Sequence, residues 1–180
     1  MQRPVLVTAP AELPVTLAEA KAECRVWHGD EDAMIERYVR AATAHLDGWS
    51  GILGRCLMTQ RWRATFDAWA PCLRLPFTNL DNVAVVHGEG DADVSVSFVL
   101  REDSIGPWLD PVAGFGYPAL AGRGAIRVEF DAGFGGAADV PATLKTAILM
   151  HVRQMYDADG DEKEPFGYRA LIDPYRRVTP

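Results

Sequence analysis

The period of the hydrophobic residues changes twice along this chain, and that change limits the folds open to it. From Leu17 to about Trp49 the apolar residues recur every three or four positions, which predicts amphipathic helices. After Gly51 and Gly54 they alternate with polar residues, as in RWRATFD at 61–67, which predicts half-buried strands. Helical spacing returns after Pro141. The pattern therefore predicts an α+β fold with a small antiparallel β-sheet module inserted within a helical unit.

The helix boundaries follow from capping signals. Thr16 and Glu19 form a capping-box pattern that begins helix one. Gly29 is expected to end this helix, and the acids at 30–32 to begin helix two, which runs to about Trp49. Pro141 suits the first position of helix three. We predict a helical bundle of these three helices, with Trp27 and Trp49 facing its core.

The predicted strands are separated by turn-forming residues. They cover residues 61–67, 73–75, 83–86, 94–98 and 126–130. Residues 88–91 are expected to form a hairpin tip, and 106–124 a long loop. We therefore predict four parts: an N-terminal helical part at 1–55, the β module at 56–135, a C-terminal helix at 136–165 and a C-terminal tail at 166–180.

Composition excludes several classes of function. The 180 residues include 18 Lys and Arg against 25 Asp and Glu, a net charge of −7 that opposes tight binding of nucleic acid phosphates. Cys24, Cys56 and Cys72 lack zinc-site spacing, and we interpret them as reduced thiols of a protein assembled in the cytoplasm. The sequence shows neither a signal-peptide pattern nor a run of 18 apolar residues, so we expect no secretion and no membrane contact.

Two segments superficially match ligand-binding loops. Residues 130–136 have the strand, glycine and helix order of a phosphate loop, but they match neither of the usual glycine motifs. Asp157, Asp159 and Asp161 are spaced as in a calcium loop, but Glu162 and Tyr168 replace its glycine and its bidentate glutamate. We interpret the first segment as a turn and the second as a solvated linker, and we expect no metal and no cofactor.

The histidines and tryptophans carry no catalytic motif. His28, His45, His87 and His151 are not tied by spacing to a nucleophile, so we predict no catalytic residue and no enzyme. Aromatic residues outside the predicted helices and strands are instead candidate subunit contacts. These are Trp69, Trp108, Phe115 and Tyr117.

The order of several soft motifs resembles a known family. The segments are PVTLAEAK at 14–21, the acids and Ile35 at 30–35, and residues 54–60, 73–76, 128–135, 139–148 and 171–176. In order and spacing they resemble phage head–tail connectors of the phiE125 gp8-like family, which includes adaptors of gene transfer agents. The resemblance covers nearly the whole chain, except the loop at 106–124 and the acidic stretch at 157–164.

This resemblance implies a structural role at the head–tail junction of a virion or gene transfer agent particle. It implies a homo-oligomeric ring, a dodecamer, between the portal protein and a stopper or tail-completion protein, with DNA only as passing cargo. The acidic composition suits such a lumen, and we expect helices two and three to supply ring contacts and lumen charge.

The tail is the candidate portal-docking segment, because related adaptors use a terminal segment there. Its candidate residues are Phe166, Tyr168, Arg169, Leu171, Tyr175, Arg176 and Arg177. On this hypothesis, deletion of 166–180 leaves a folded protein that cannot attach tails. The alternative is a tail that simply packs on its own sheet.

Two other functions remain open. A stopper or tail-completion subunit is also small and ring-forming, although such proteins are usually all-β. A small ligand-binding or hydrolytic domain would use the aromatic loop and His87, and it would require a closed pocket with convergent polar groups.

Overall fold

A computed structural model describes residues 1–120, 122–157 and 165–177. The described chain forms two compact units. One, the β unit, comprises Met1–Ala9 and Thr59–Gly133; the other, the helical unit, comprises Pro10–Met58 and Phe134–Arg177. The predicted α+β class is confirmed. Residues 1–9, which the sequence analysis placed with the helices, lie in the β unit because they form an additional strand there.

The described part of the helical unit contains four α-helices. They are α1 (Leu17–Cys24), α2 (Asp32–Leu46), α3 (Ala142–Tyr156) and α4 (Tyr168–Ile172), followed by a 3-10 turn at Asp173–Tyr175. The predicted capping box is confirmed: Glu19 N–H donates to Thr16 Oγ1 at 3.2 Å, and Thr16 N–H donates to Glu19 Oε2 at 2.6 Å. The start of α3 directly after Pro141 is also confirmed.

Both N-terminal helices end earlier than predicted, and this corrects the placement of two tryptophans. Arg25 adopts a left-handed conformation that ends α1 four residues before Gly29. Helix α2 stops at Leu46, since Asp47 is extended and its Oδ1 accepts a hydrogen bond from Leu57 N–H at 2.6 Å. Trp27 and Trp49 consequently lie outside the helices and are 84% and 41% exposed. The prediction that they face the core was wrong.

The core of the helical unit joins residues from all four helices and from the segments beside them. Leucine, isoleucine and valine residues dominate it, and each member is almost inaccessible to solvent. The largest fully buried members are Ile35, Leu46, Leu53, Leu57, Leu144, Ile148 and Ile172. Leu53 and Leu57 follow α2, so this core extends beyond the predicted helical boundary at residue 55.

The β unit contains a five-stranded and a three-stranded antiparallel sheet. The first comprises β1 (Val5–Thr8), β2 (Gln60–Phe66), β4 (Leu80–His87), β5 (Ala92–Asp93) and β8 (Ile126–Ala132), in the order β1-β2-β8-β4-β5. The second comprises β3 (Leu73–Arg74), β6 (Phe98–Glu102) and β7 (Pro107–Pro111), in the order β3-β7-β6. The predicted hairpin tip at 88–91 connects β4 to β5, as expected.

Alternation along the two central strands produces the core of the β unit. In β2 and β8 every second residue is buried, as in Trp62 and Phe130, and the residues between them are half-buried. The ring of Trp62 lies 4.9 Å from that of Phe77, and Phe77 lies 6.3 Å from Phe130, measured between ring centroids. The predicted half-buried strand at 61–67 is therefore confirmed.

Two local predictions in the β unit were wrong. Residues 95–97 form a 3-10 turn rather than a strand, because Asp93 Oδ1 accepts hydrogen bonds from both the N–H and the hydroxyl of Ser95. The predicted loop at 106–124 contains strand β7, which pairs with both β3 and β6. The glycines and prolines of this segment favoured a loop prediction, although five of its residues form a strand.

Candidate functional site

The C-terminal segment is integrated into the helical unit. Tyr168 and Ile172 are 3% and 2% exposed and belong to the core. The ring of Tyr175 lies 6.2 Å from that of Phe134, and its hydroxyl accepts a hydrogen bond from Thr143 Oγ1 at 3.1 Å. The backbone N–H of Arg177 donates to Leu53 O at 2.9 Å. The segment is thus held by both its side chains and its backbone.

The candidate docking residues differ in their exposure to solvent. Tyr168 is buried, and Leu171, Tyr175 and Arg177 are half-buried. Phe166, by contrast, is completely exposed at 101%. Arg169 and Arg176 are also exposed, and Arg176 Nη1 lies 3.7 Å from Asp173 Oδ1. Phe166, Arg169 and Arg176 are therefore the exposed members of the set.

Three of the four candidate subunit contacts pack against one another within the β unit. Trp69 lies at the centre of an aromatic cluster, with ring centroids 5.7–6.1 Å from its neighbours. The other members of this cluster are His87, Phe98, Phe115 and Tyr117. The indole N–H of Trp69 donates to Pro118 O at 2.9 Å. These rings hold the loop after β7 in place, and Tyr117 keeps 47% of its surface exposed.

Trp108, the fourth candidate, belongs to a separate arrangement in the three-stranded sheet. The guanidinium of Arg74 lies 4.9 Å from the centre of the Trp108 ring. Nη1 and Nη2 of Arg74 also donate to the two carboxylate oxygens of Asp103, each at 2.7 Å. The Arg74 guanidinium holds the pKa of Asp103 well below its usual range. This arrangement fixes the turn between β6 and β7.

A set of paired charges, which we call the charge ladder, covers the half-buried face of β2 and β8. It consists of Arg61, Arg63, Glu129 and Asp131. Arg63 donates to Glu129 Oε1 at 2.6 and 2.9 Å, while Arg61 donates to Glu129 Oε2 and to Asp131 Oδ1, each at 3.1 Å. The hydrogen bonds from Arg63 are the main reason that the pKa of Glu129 is lowered.

The sequence analysis did not identify this ladder, although the signal was present. Two arginines alternate along β2 and two acids alternate along β8 with the same period, as expected for opposite charges on neighbouring antiparallel strands. Only the register shows that Arg63 lies opposite Glu129 and Arg61 opposite Asp131. Because acids and bases are equal in number, the ladder has no net charge.

The segment that superficially resembled a phosphate loop serves an internal turn. Gly136 N–H donates to Asp139 Oδ2 at 2.9 Å. Gly135 has φ +127°, and a Cβ atom there would lie 2.4 Å from Asp139 Oδ2. The glycines thus provide space for an aspartate side chain, whose negative charge would repel a phosphate.

His151 is half-buried and packs against two other rings. His151 lies 5.1 Å from His45 and 5.9 Å from Tyr168, measured between ring centroids. Burial lowers the pKa of His151, and the neighbouring His45 lowers it further. Cys24 and Cys56 are buried, Cys72 is half-buried, and none of these three cysteines forms a disulfide.

Within the described ranges, no group of three or more His, Cys, Asp or Glu side chains could hold a metal ion. Asp159 and Asp161 of the calcium-loop pattern lie outside the described residues. None of the helices within 1–120, 122–157 and 165–177 has the length and apolar character needed to cross a membrane.

Two strands leave an apolar edge uncovered. In β1 all four residues are exposed, including Val5 at 58%, Leu6 at 42% and Val7 at 43%. In β6, Val99 and Leu100 are 44% and 40% exposed. Exposed apolar edges are uncommon in soluble proteins, since they can pair with other chains. Neither edge was predicted from the sequence, since no strand was expected at residues 5–8 and the strand expected at 94–98 lies instead at 98–102.

Among known proteins, this chain is similar to solved structures of one kind of particle. No protein-family model matches the chain, and no curated protein matches it. Solved structures of gene transfer agent particles do. The chain resembles a subunit of their neck.

The similarity covers nearly the full length of both chains. A chain in the neck of the empty particle, computed with C6 symmetry, is 26% identical, with a TM-score of 0.81 over 98% of this chain and 96% of that one. A chain in the native virion has 26% identity and a TM-score of 0.79 over the same shares. A chain in the native neck, computed with C12 symmetry, has 27% identity and a TM-score of 0.72, again over 98% and 96%.

Proposed function

We propose that this chain is a structural subunit of the neck of a gene transfer agent or phage-like particle, where it connects the head to the tail. The observation that carries this proposal is the similarity to a neck chain, with a TM-score of 0.81 at 26% identity over 98% of the chain. A shared fold alone would not indicate a shared function. The similarity covers 98% of this chain and 96% of the neck chain at 26% identity, which makes it more specific than a common fold.

Within the neck, we assign the chain to the adaptor ring between the portal and the tail. The main alternative is a stopper or tail-completion subunit. A stopper is usually all-β, whereas this chain devotes α1, α2, α3 and α4 to a separate helical core. Membership of the phiE125 gp8-like family remains a prediction, since no family model matches the chain.

We infer that the chain assembles as a homo-oligomeric ring, with a dodecamer as the expected state. The neck structures that contain similar chains were computed with C6 and C12 symmetry, which suits such a ring. Cyclic closure requires two different surfaces on each subunit, because each copy contacts one neighbour on either side. DNA would pass through the lumen without specific recognition.

The charged residues of α2 and α3 bear on which part of the chain would line an acidic lumen. Helix α2 carries two acidic and two basic side chains, and α3 carries one lysine and one arginine. These helices therefore supply no excess of negative charge. We assign the lumen acids instead to the start of α2 and the residues directly before it, where Asp30, Glu31 and Asp32 follow one another. The exposed face of α2, with Arg37 and Arg40, stays available for ring contacts.

We infer that docking on the portal uses the exposed part of the C-terminal segment. Tyr168 and Ile172 anchor the segment to its own subunit, and this fixes the position of Phe166, Arg169 and Arg176 at the surface. An exposed aromatic ring beside arginines has the composition of a binding hot spot. The buried residues of the original set would act only by positioning the exposed ones.

The proposal is tested by cryo-electron microscopy of particles purified from cells that express the complete structural cluster. We expect density for this chain in a ring between portal and tail. Phe166→Ala and Arg169→Ala should yield heads without tails, whereas Val96→Ala and Arg123→Ala, matched exposed controls, should yield complete particles. Complete particles that lack the chain would refute the neck assignment.

The hydrolytic or ligand-binding alternative lacks a site at the expected place. The aromatic cluster is filled by its own rings, and His87 is one of them, with its centroid 5.8 Å from that of Trp69. We therefore propose a structural and not a catalytic role.

A further inference from the structure

The β1 edge is prepared for pairing with another strand. It lies at the end of the five-stranded sheet and pairs with β2 on one side. Within the described residues no strand pairs with its other side, so no described strand satisfies the backbone groups there. Natural edge strands are usually protected by charged side chains or covered by other elements. The sequence of β1, VLVT, has no charge, and Val5, Leu6 and Val7 are each more than 40% exposed.

The β6 edge of the other sheet also exposes apolar side chains, although its sequence, FVLRE, includes two charged residues. It lies at the end of the order β3-β7-β6, where it pairs with β7. Val99 and Leu100 expose 44% and 40% of their surface. The opposite edges are less suited, because β3 and β5 are two residues long and the part of β4 that extends beyond β5 carries the polar residues Asp81 and Asn82. Among the described strands, β1 and β6 are therefore the edges suited to intermolecular pairing.

Cyclic assembly indicates which partner each edge meets. Two different surfaces on one chain must be complementary for identical copies to close a ring. β1 has four residues and β6 has five, so their lengths are similar, and both offer apolar side chains on a side with which no described strand pairs. Two copies of β1 facing each other would form a closed pair instead of a ring.

We propose that β1 of each copy pairs with β6 of the neighbouring copy, which joins the sheets of adjacent subunits around the ring. This inference rests on the proposed ring. It assigns the occupant of each edge as a second copy of this chain. Pairing by β-strand addition would satisfy the exposed backbone groups and cover Leu6 or Val7 with Val99 or Leu100.

Disulfide trapping in assembled particles tests this pairing. Opposite residues on paired strands have Cα atoms about 4.5–5.5 Å apart, within the range of a disulfide. Cysteine is introduced at Leu6 or Val7 together with Val99 or Leu100, which gives four double variants that cover both faces. Cys72→Ser is included throughout, since Cys72 is half-buried whereas Cys24 and Cys56 are buried.

We expect mild oxidation of particles to convert at least one double variant into a ladder of covalent oligomers on a non-reducing gel. Each single-cysteine variant should remain monomeric. The matched control combines Leu6→Cys with Val96→Cys, because Val96 is 94% exposed but lies outside both edges. This control should not form a ladder.

A second measurement covers variants that do not assemble. Leu6→Lys and Leu100→Lys, confirmed as folded by circular dichroism, should enter particles at least tenfold less than the wild type, whereas Val96→Lys should enter normally. Normal incorporation of both edge variants would overturn the inference. So would particles that contain all four double variants but yield no ladder, or dimers from Leu6→Cys alone, which would indicate that β1 pairs with itself.

These outcomes are distinct from failure of the proposed function. Particles that contain the wild-type chain without trapping refute only the β1–β6 pairing. Complete particles without the wild-type chain refute the neck assignment, and the pairing falls with it.

Discussion

The ring of Tyr168 meets the imidazole of His151 at 5.9 Å between centroids, and this contact fastens α4 to α3. The C-terminal segment is consequently part of the helical core, with Tyr168 only 3% exposed. The expectation that residues 166–180 can be deleted without loss of folding therefore needs revision. Deletion would remove Tyr168 and Ile172 from the core, so any loss of docking would be mixed with unfolding.

Point substitutions separate the two roles of this segment. We predict that Tyr168→Ala lowers the free energy of unfolding by about 3 kcal/mol, because a large buried ring is replaced by a cavity. Phe166→Ala, at the completely exposed neighbour, should change it by less than about 0.5 kcal/mol. Urea denaturation followed by circular dichroism measures both. Equal stability of the two variants would contradict the observed burial of Tyr168.

The charge ladder should make a measurable contribution to the stability of the β unit. We predict that Glu129→Gln lowers the free energy of unfolding by about 1–2 kcal/mol, because two partly buried arginines lose their charged acceptor. The control is Glu36→Gln, which breaks the exposed pair of Glu36 with Arg40 and should cost less than about 0.5 kcal/mol.

The same ladder predicts a dependence on acid. The pKa of Glu129 is lowered in the folded chain from its ordinary value of 4.5, so its contribution is present above pH 4.5 and is lost as the pH falls through the folded pKa. The stability difference between wild type and Glu129→Gln should therefore shrink in acid. A difference that grows below pH 4.5 would contradict the assignment.

His151 predicts a second pH effect at milder acidity. Burial lowers its pKa below the ordinary 6.5, so the unfolded chain binds a proton more readily than the folded one. Stability should fall as the pH drops below 6.5 toward the folded pKa, and it should be fully retained above 6.5. Unfolding measured from pH 7.5 to 5.5 should show this slope in wild type and less of it in His151→Gln.

His45 provides the control for that slope. Its charge adds to the lowering of the His151 pKa, so His45→Gln should make the slope shallower without abolishing it. An unchanged slope in His151→Gln would assign the pH effect to another group.

The capping box predicts a local effect on α1. Thr16→Ala should lower the free energy of unfolding by about 1 kcal/mol, since it removes the acceptor of the Glu19 N–H. Thr146→Ala is the matched control, because the hydroxyl of Thr146 only donates to Ala142 O inside a helix. A loss at Thr146 as large as that at Thr16 would contradict the special role of the cap.

Several local features of this fold could be predicted from the sequence, because they depend on residues close together in the chain. The capping box of Thr16 and Glu19, the start of α3 after Pro141 and the alternation in β2 depend on neighbours within a few residues, and all were predictable. The α+β class followed from the same signals. Helix ends were less predictable, since Arg25 ends α1 by adopting a left-handed conformation that glycine more commonly adopts.

The tertiary structure alone decided which surfaces are available for assembly. Whether Tyr168 is an anchor or a docking residue depends on α3 and on residues far away in sequence, and periodicity in a short tail does not indicate this. Strand β1 pairs with β2 across more than 50 residues, and the register places Arg63 opposite Glu129. Edges and cross-strand pairs arise only when distant segments meet, because backbone hydrogen bonds carry no sequence signal of their partner.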